Sequence, residues 1–286
     1  GNSGNAVISR AVSFREYSCI KREGMNDMFR MVKTEIWKLK RYHMIWAGVF
    51  LMLLSVLLTL FSTTALDGTV WTFSFFTEQV IKNNVTTIFP MCIALIAGYI
   101  IAREGKDDTL KSIMTIPVPY SSLLWGKLLV CALLSLFFGM VSATFTVIAN
   151  LMMGFSGMSV TSVLQTFIQI ILNCLFLYIA VMPVIAFAAR IPNGHMLGTI
   201  IAFVYGYGGM FASGNAALAN VYPVTASLGL ISYRSYDPAV HWNVLICLFS
   251  MIAVLMITAV FVFTAKGNVP VKAAKKHKKT ITKKGW

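Results

Sequence analysis

The stretch Met44–Leu66 reads MIWAGVFLMLLSVLLTLFSTTAL, and no charged side chain interrupts it. A helix needs about 20 consecutive apolar residues to cross the hydrocarbon core of a bilayer. Five more runs of this kind follow, at residues 85–102, 123–153, 160–189, 196–213 and 242–265. Their apolar character is continuous rather than alternating with period two, unlike the strands of a membrane barrel, and open sheet edges are excluded in lipid. The expected fold class is an all-α integral membrane protein with six transmembrane helices.

Composition agrees. Hydrophobic residues make up 57% of the chain and charged residues 12%, against roughly 25% charged in soluble domains. Mean hydropathy is +0.75. A net charge of +14 would suit a nucleic-acid binder, but its distribution points to topology. Nine of the Lys and Arg residues precede the first run, four lie between Arg103 and Lys127, Arg190 follows the fourth run, and eight follow the sixth. Lys82 and Arg234 are left for the opposite side. By the positive-inside rule both termini and the 103–127 loop are expected in the cytoplasm. An even number of spans requires the termini to share a side. The cysteines Cys92, Cys131, Cys174 and Cys247 fall inside apolar runs and Cys19 in the basic N-terminal region, which suggests neither a disulfide framework nor a metal set.

The 103–127 loop, REGKDDTLKSIMTIPVPYSSLLWGK, is the main polar island of the chain. Leu110, Ile113 and Met114 fall on one helical face, Asp107 and Asp108 can cap its start, and Pro117 and Pro119 end it. This is the pattern of a short helix at a membrane surface, and it implies contact with something in the cytosol. Residues 29–43 read similarly: Phe29, Val32, Ile36 and Leu39 recur at helical spacing beside Trp37, with flanking lysines able to snorkel. Residues 1–28 are read as a disordered or non-native extension, 44–265 as the membrane domain, and 266–286 as a basic cytoplasmic tail that favours anionic lipid.

Elsewhere, residues 67–84 are expected to form the first external loop, with Trp71, Phe73, Phe75 and Phe76 as interfacial anchors. The third and fourth runs, at about 31 and 30 residues, exceed a simple span and must tilt, bend or project. Gln165, Gln169 and Asn173 recur every four residues and share one helix face. That face serves either to join helices or to line a substrate path. The fifth run is dense in glycine around Tyr205–Gly209, which favours close helix approach. Residues 215–242 are too broken to span and are read as external, dipping back toward the membrane.

No Asp or Glu lies inside any of the six runs, which counts against an ion-coupled carrier. No G-x-x-x-x-G-K-[ST] loop is present in these residues, nor a catalytic motif in a credible setting. The expectation is a non-enzymatic membrane subunit driven from outside. On three features the chain resembles a permease of the ABC-2 type, in the branch of lantibiotic-immunity and bacitracin-resistance permeases of Gram-positive bacteria. These are Thr34–Arg41 (TEIWKLKR), the segment Glu104–Lys127 with Thr109, Pro117 and Gly126-Lys127, and the six-span order with an extended connection before the last span. An arginine usual after the proline is replaced here by Pro119 and Tyr120.

The resemblance implies an entry helix at 29–41 and a coupling helix near 107–116 that docks on a separate ATP-binding subunit carrying Mg-ATP. The coupling contacts would fall on Glu104, Asp107, Asp108, Thr109, Leu110, Lys111, Ile113, Met114 and Pro117. It also implies a second permease chain, in a homo- or heterodimer, and export of an amphipathic antimicrobial peptide from the plasma membrane. Export of a lipid or glycan precursor or of a peptide signal, or a non-transporting scaffold, are the alternatives. Membrane lipid is the other expected partner; nucleic acid is not.

Overall fold

The computed structural model describes residues 37, 43–64, 70–106, 120–191, 194–234, 236–237 and 241–264, with the side chains of 102–106 and 120 left aside. Among the described residues there is no β-sheet, and six helical stretches are long and apolar enough to cross a membrane. The elements are α1 (Met44–Ser62), α2 (Phe73–Asn83), a π-helical turn (Asn84–Ile88), α3 (Phe89–Lys106), α4 (Tyr120–Met153), α5 (Val160–Ala188), α6 (Gly194–Ala212), α7 (Ala216–Val221), α8 (Pro223–Leu230) and α9 (Val244–Phe263).

The second span starts earlier than its apolar run suggests. α2, the π turn and α3 form one span from Phe73 to Ile101. Thr72 caps it, its hydroxyl accepting from the Phe75 amide at 3.3 Å. Residues 73–84 are therefore helix and not external loop, and Glu78 lies inside a span. Phe73 and Phe76 are fully buried rather than anchored at an interface, and Phe76 packs on Phe155 with ring centroids 5.4 Å apart. This span is the hub of the bundle: 72% of its most apolar window is buried, against 28% for α1 and 22% for α9. Those two helices turn Trp46, Phe50 and Phe61, and Leu245, Phe249 and Phe263, outward, as helices facing lipid do.

The π turn has a local cause. Pro90 has no N–H for the Thr86 carbonyl, and its ring crowds that same oxygen, so the regular α ladder is disfavoured there. α6 packs onto this irregularity at Gly206, where an added Cβ would meet Pro90 Cγ at 2.8 Å and Thr86 O at 3.1 Å. Glycine is thus the residue that admits the approach. Asn84 is buried in the same turn and donates Nδ2 to Ser142 Oγ at 3.1 Å. The adjacent Asn83 donates to Thr59 Oγ1 at 2.9 Å, so two amides tie the hub to α4 and α1.

α4 and α5 are the long helices expected from the third and fourth runs, with Pro183 inside α5. Gly154 and Gly157, at φ 68° and 87°, turn the chain between them. Residues 216–230, expected to dip back, form α7 and α8, and α8 is buried from Val224 to Gly229. The four cysteines Cys92, Cys131, Cys174 and Cys247 are buried and unoxidised.

Candidate functional site

Two polar regions stand out, one at each end of the bundle. At the end where α3 runs toward the 103–127 loop, Lys127 is 3% exposed and donates Nζ to Ile100 O at 3.1 Å. The contact ties the helix entering the loop to the helix leaving it. Glu104 lies on the α3 backbone. Asp107, Asp108, Thr109, Leu110, Lys111, Ile113, Met114 and Pro117 lie outside the described residues, as do Phe29, Val32, Ile36 and Leu39. Trp37 is helical and largely exposed. At this same end Arg190 donates Nη2 to Phe261 O and to Thr264 Oγ1. Its guanidinium lies 5.2 Å from the Phe261 ring centroid. A cation there satisfies the Phe261 carbonyl near the C-terminus of α9 and suits the negative end of its dipole.

At the far end the amide face of α5 enters three different settings. Gln165 is exposed. Gln169, one turn on, is half-buried and donates Nε2 to Ile231 O at 3.3 Å. Asn173 is 1% exposed and accepts from Ser227 Oγ on α8 at 3.5 Å. Its Nδ2 has no partner among the described residues. Gln165 and Gln169 line an open groove of about 380 Å³ with Thr161, Leu164 and Ile168 on the α5 side and Ile231 and Ser232 on the other. The groove offers amides and hydroxyls over an aliphatic floor, which suits a ligand with both amide and apolar groups.

The turn after α8 that edges the groove also grips α2. Glu78 is 8% exposed. Tyr236 donates its hydroxyl to Glu78 Oε1 at 2.5 Å. Tyr233 donates to the Glu78 backbone carbonyl at 3.2 Å. Arg234 Nε stands 3.5 Å from Glu78 Oε2, and Arg234 Nη2 is 3.2 Å from Asp237 Oδ2. Burial, reinforced by the nearby Glu78 charge, raises the Tyr233 phenol above its usual range. Tyr236 is raised by burial and by its hydrogen bond to Glu78. Both phenols therefore stay protonated at neutral pH and serve as donors.

Sequence reasoning missed this cluster because Glu78 was read in a loop. The available signal was the burial stripe Phe73, Phe76, Thr77, Val80, Ile81, which has helical spacing.

A family model described as ABC-2 family transporter protein matches residues 31–209, more than half of the chain. No curated protein matches it.

Proposed function

We infer the work of this chain from the family to which it belongs: it is an ABC-2 family transporter protein, the multi-pass membrane permease component of an ABC transporter that works with an ATP-binding partner. The match over residues 31–209 carries this reading. It spans the stretch before α1, the 103–127 loop and nearly all of the first five spans.

The finer reading is that the chain exports amphipathic antimicrobial peptides of the lantibiotic or bacitracin kind, and so confers immunity or resistance. Both termini and the 103–127 loop face the cytoplasm, a reading supported by the lysines and arginines concentrated there, and the Gram-positive host follows from the resemblance to immunity and resistance permeases. Residues 107–116 form a coupling helix seated on the ATP-binding subunit through Leu110, Ile113 and Met114, with Asp107, Asp108 and Lys111 at its polar edge. The bond from Lys127 to Ile100 O, which ties the loop's two supporting helices, supports their moving as a unit. ATP binding draws two partner subunits together, and the coupling helices of two permease chains transmit the motion as a shift between inward- and outward-open states. Cargo contacts the amide face of α5, whose mixed groove supports an amphipathic ligand over a small ion.

Changing Leu110→Asp together with Ile113→Asp tests the coupling. The ATP-binding subunit should be lost from the complex together with resistance. If the partner stays bound and resistance persists, the coupling assignment is wrong. For the cargo, deletion of the gene should raise sensitivity to cationic amphipathic peptides. Unchanged sensitivity to all of them, with altered export of another compound, refutes that choice.

A further inference from the structure

We propose that Glu78 is the catch of an outer gate: its carboxylate and backbone carbonyl hold the turn of Ile231–Arg234, with Tyr236 just beyond it, against α2, and the groove beside Gln165 and Gln169 widens outward when that turn leaves. The inference rests on the export reading above.

Four observations carry it. A carboxylate buried one turn into a span is tolerated where partners compensate its desolvation, and the described partners, Tyr233, Arg234 and Tyr236, come from one short segment. That segment is held in an unfavourable backbone, since Ser232 and Arg234 have φ of 54° and 49°, the left-handed region that residues with a Cβ avoid. Removing the catch releases this conformation. The same turn forms one wall of the groove through Ile231 and Ser232, where Gln169 holds the Ile231 carbonyl. The turn therefore cannot swing from the groove without giving up its contacts to Glu78. Finally, the helix bearing Glu78 contains the π turn, whose Asn84 Oδ1 is buried without a hydrogen bond. A helix irregular at that point can rotate its outer turn with less loss of ladder bonding than a regular one.

The catch is graded rather than locked. The Tyr236 contact is short at 2.5 Å, whereas Arg234 Nε sits 3.5 Å from Oε2, outside good hydrogen-bond length. Tyr236 is 68% exposed, so it can withdraw without leaving a hole in the core.

The test uses the whole transporter with its ATP-binding partner in phospholipid vesicles, ATP and vanadate being sealed inside so that the molecules trapped are those whose outer side faces the added maleimide. A reporter thiol is placed by Ile231→Cys, a groove-lining position only 6% exposed with the catch closed, in a Cys19→Ser background, the four described cysteines being buried. A membrane-impermeant maleimide added from outside should label it about fivefold faster or more after trapping with ATP and vanadate than without nucleotide, the lower bound of ordinary coupling between sites. With Glu78→Gln, labelling should be fast in both conditions. Tyr236→Phe removes only the hydroxyl that donates to Glu78, should likewise speed labelling without nucleotide, and keeps the test valid should Glu78→Gln fold poorly.

Equal labelling in all states and variants overturns the catch. So does reaction with a permeant maleimide and none with the impermeant one, because the turn is then not on the outer side. If labelling follows the catch as expected but no fluorescent cationic peptide crosses the vesicle membrane, the gate stands and the export reading of its cargo falls.

Discussion

Gly139 is where the helix leaving the 103–127 loop touches the helix carrying the amide face. An added Cβ there would lie 2.8 Å from Ile171 Cα, 3.3 Å from Cys174 Cβ and 3.4 Å from Ile170 O. Carbon pairs settle at about 3.5–4.0 Å, and the nearest atom is backbone, so α4 and α5 must separate to admit a methyl group. Overpacking costs about 1–3 kcal/mol, and a backbone obstacle belongs at the upper end. Alanine returns about 1 kcal/mol of helix propensity over glycine. Gly139→Ala is therefore expected to destabilise by about 2 kcal/mol.

Gly209→Ala is the comparison. Its nearest obstacle is the Val224 Cγ1 methyl at 3.2 Å, a cost of about 1 kcal/mol that the same propensity gain cancels. Unfolding in mixed micelles, followed by tryptophan fluorescence, should put Gly139→Ala below the parent and Gly209→Ala level with it. A Gly139→Ala protein as stable as Gly209→Ala would refute the close crossing of α4 and α5.

Other consequences follow from the two polar ends. Asn173→Leu removes a buried amide whose Nδ2 has no described partner; stability should change by less than about 1 kcal/mol, while peptide transport should hold, since Asn173 is buried and does not line the groove. A fall in transport at unchanged stability would instead put Asn173 in contact with cargo. Tyr178→Phe deletes the buried hydroxyl that donates to Leu128 O at 2.7 Å and should cost about 1 kcal/mol in the same unfolding assay. Arg190→Ala removes the cap from the end of α9 and should cost about 1 kcal/mol, since the group is exposed.

Five spans were readable directly from the sequence because each is a long apolar run bounded by polar residues. The second was cut short because Glu78, Lys82, Asn83 and Asn84 interrupt the run. What makes those residues tolerable in a span is distant in the chain: Tyr233 and Tyr236 lie 155 and 158 positions from Glu78, and Ser142 lies 58 from Asn84. A local reading therefore saw polarity and inferred a loop.

The amide face was visible as a four-residue repeat, but its division into an exposed Gln165, a bridging Gln169 and a buried Asn173 depends on α8 and the turn after it. Those partners are 54 and 62 positions away. Glycine near Tyr205 was readable as a device for close approach, and Gly206 against Pro90 and Thr86 gives that approach a specific place. Phe73 and Phe76 pack in the core rather than anchor at an interface, because anchoring and core packing use the same residue types and the helix that starts at the Thr72 cap turns these two inward.

The central claim is a permease that works through a separate ATP-binding subunit, and co-purification tests it most directly. The detergent-solubilised protein is captured from its native cells and whatever accompanies it is identified by mass spectrometry. A P-loop ATPase should be recovered in comparable amount, and a second, different permease beside it would make the pore a heterodimer. Recovery of a receptor or assembly factor with no ATPase would contradict the account and leave the 103–127 loop as a scaffold site.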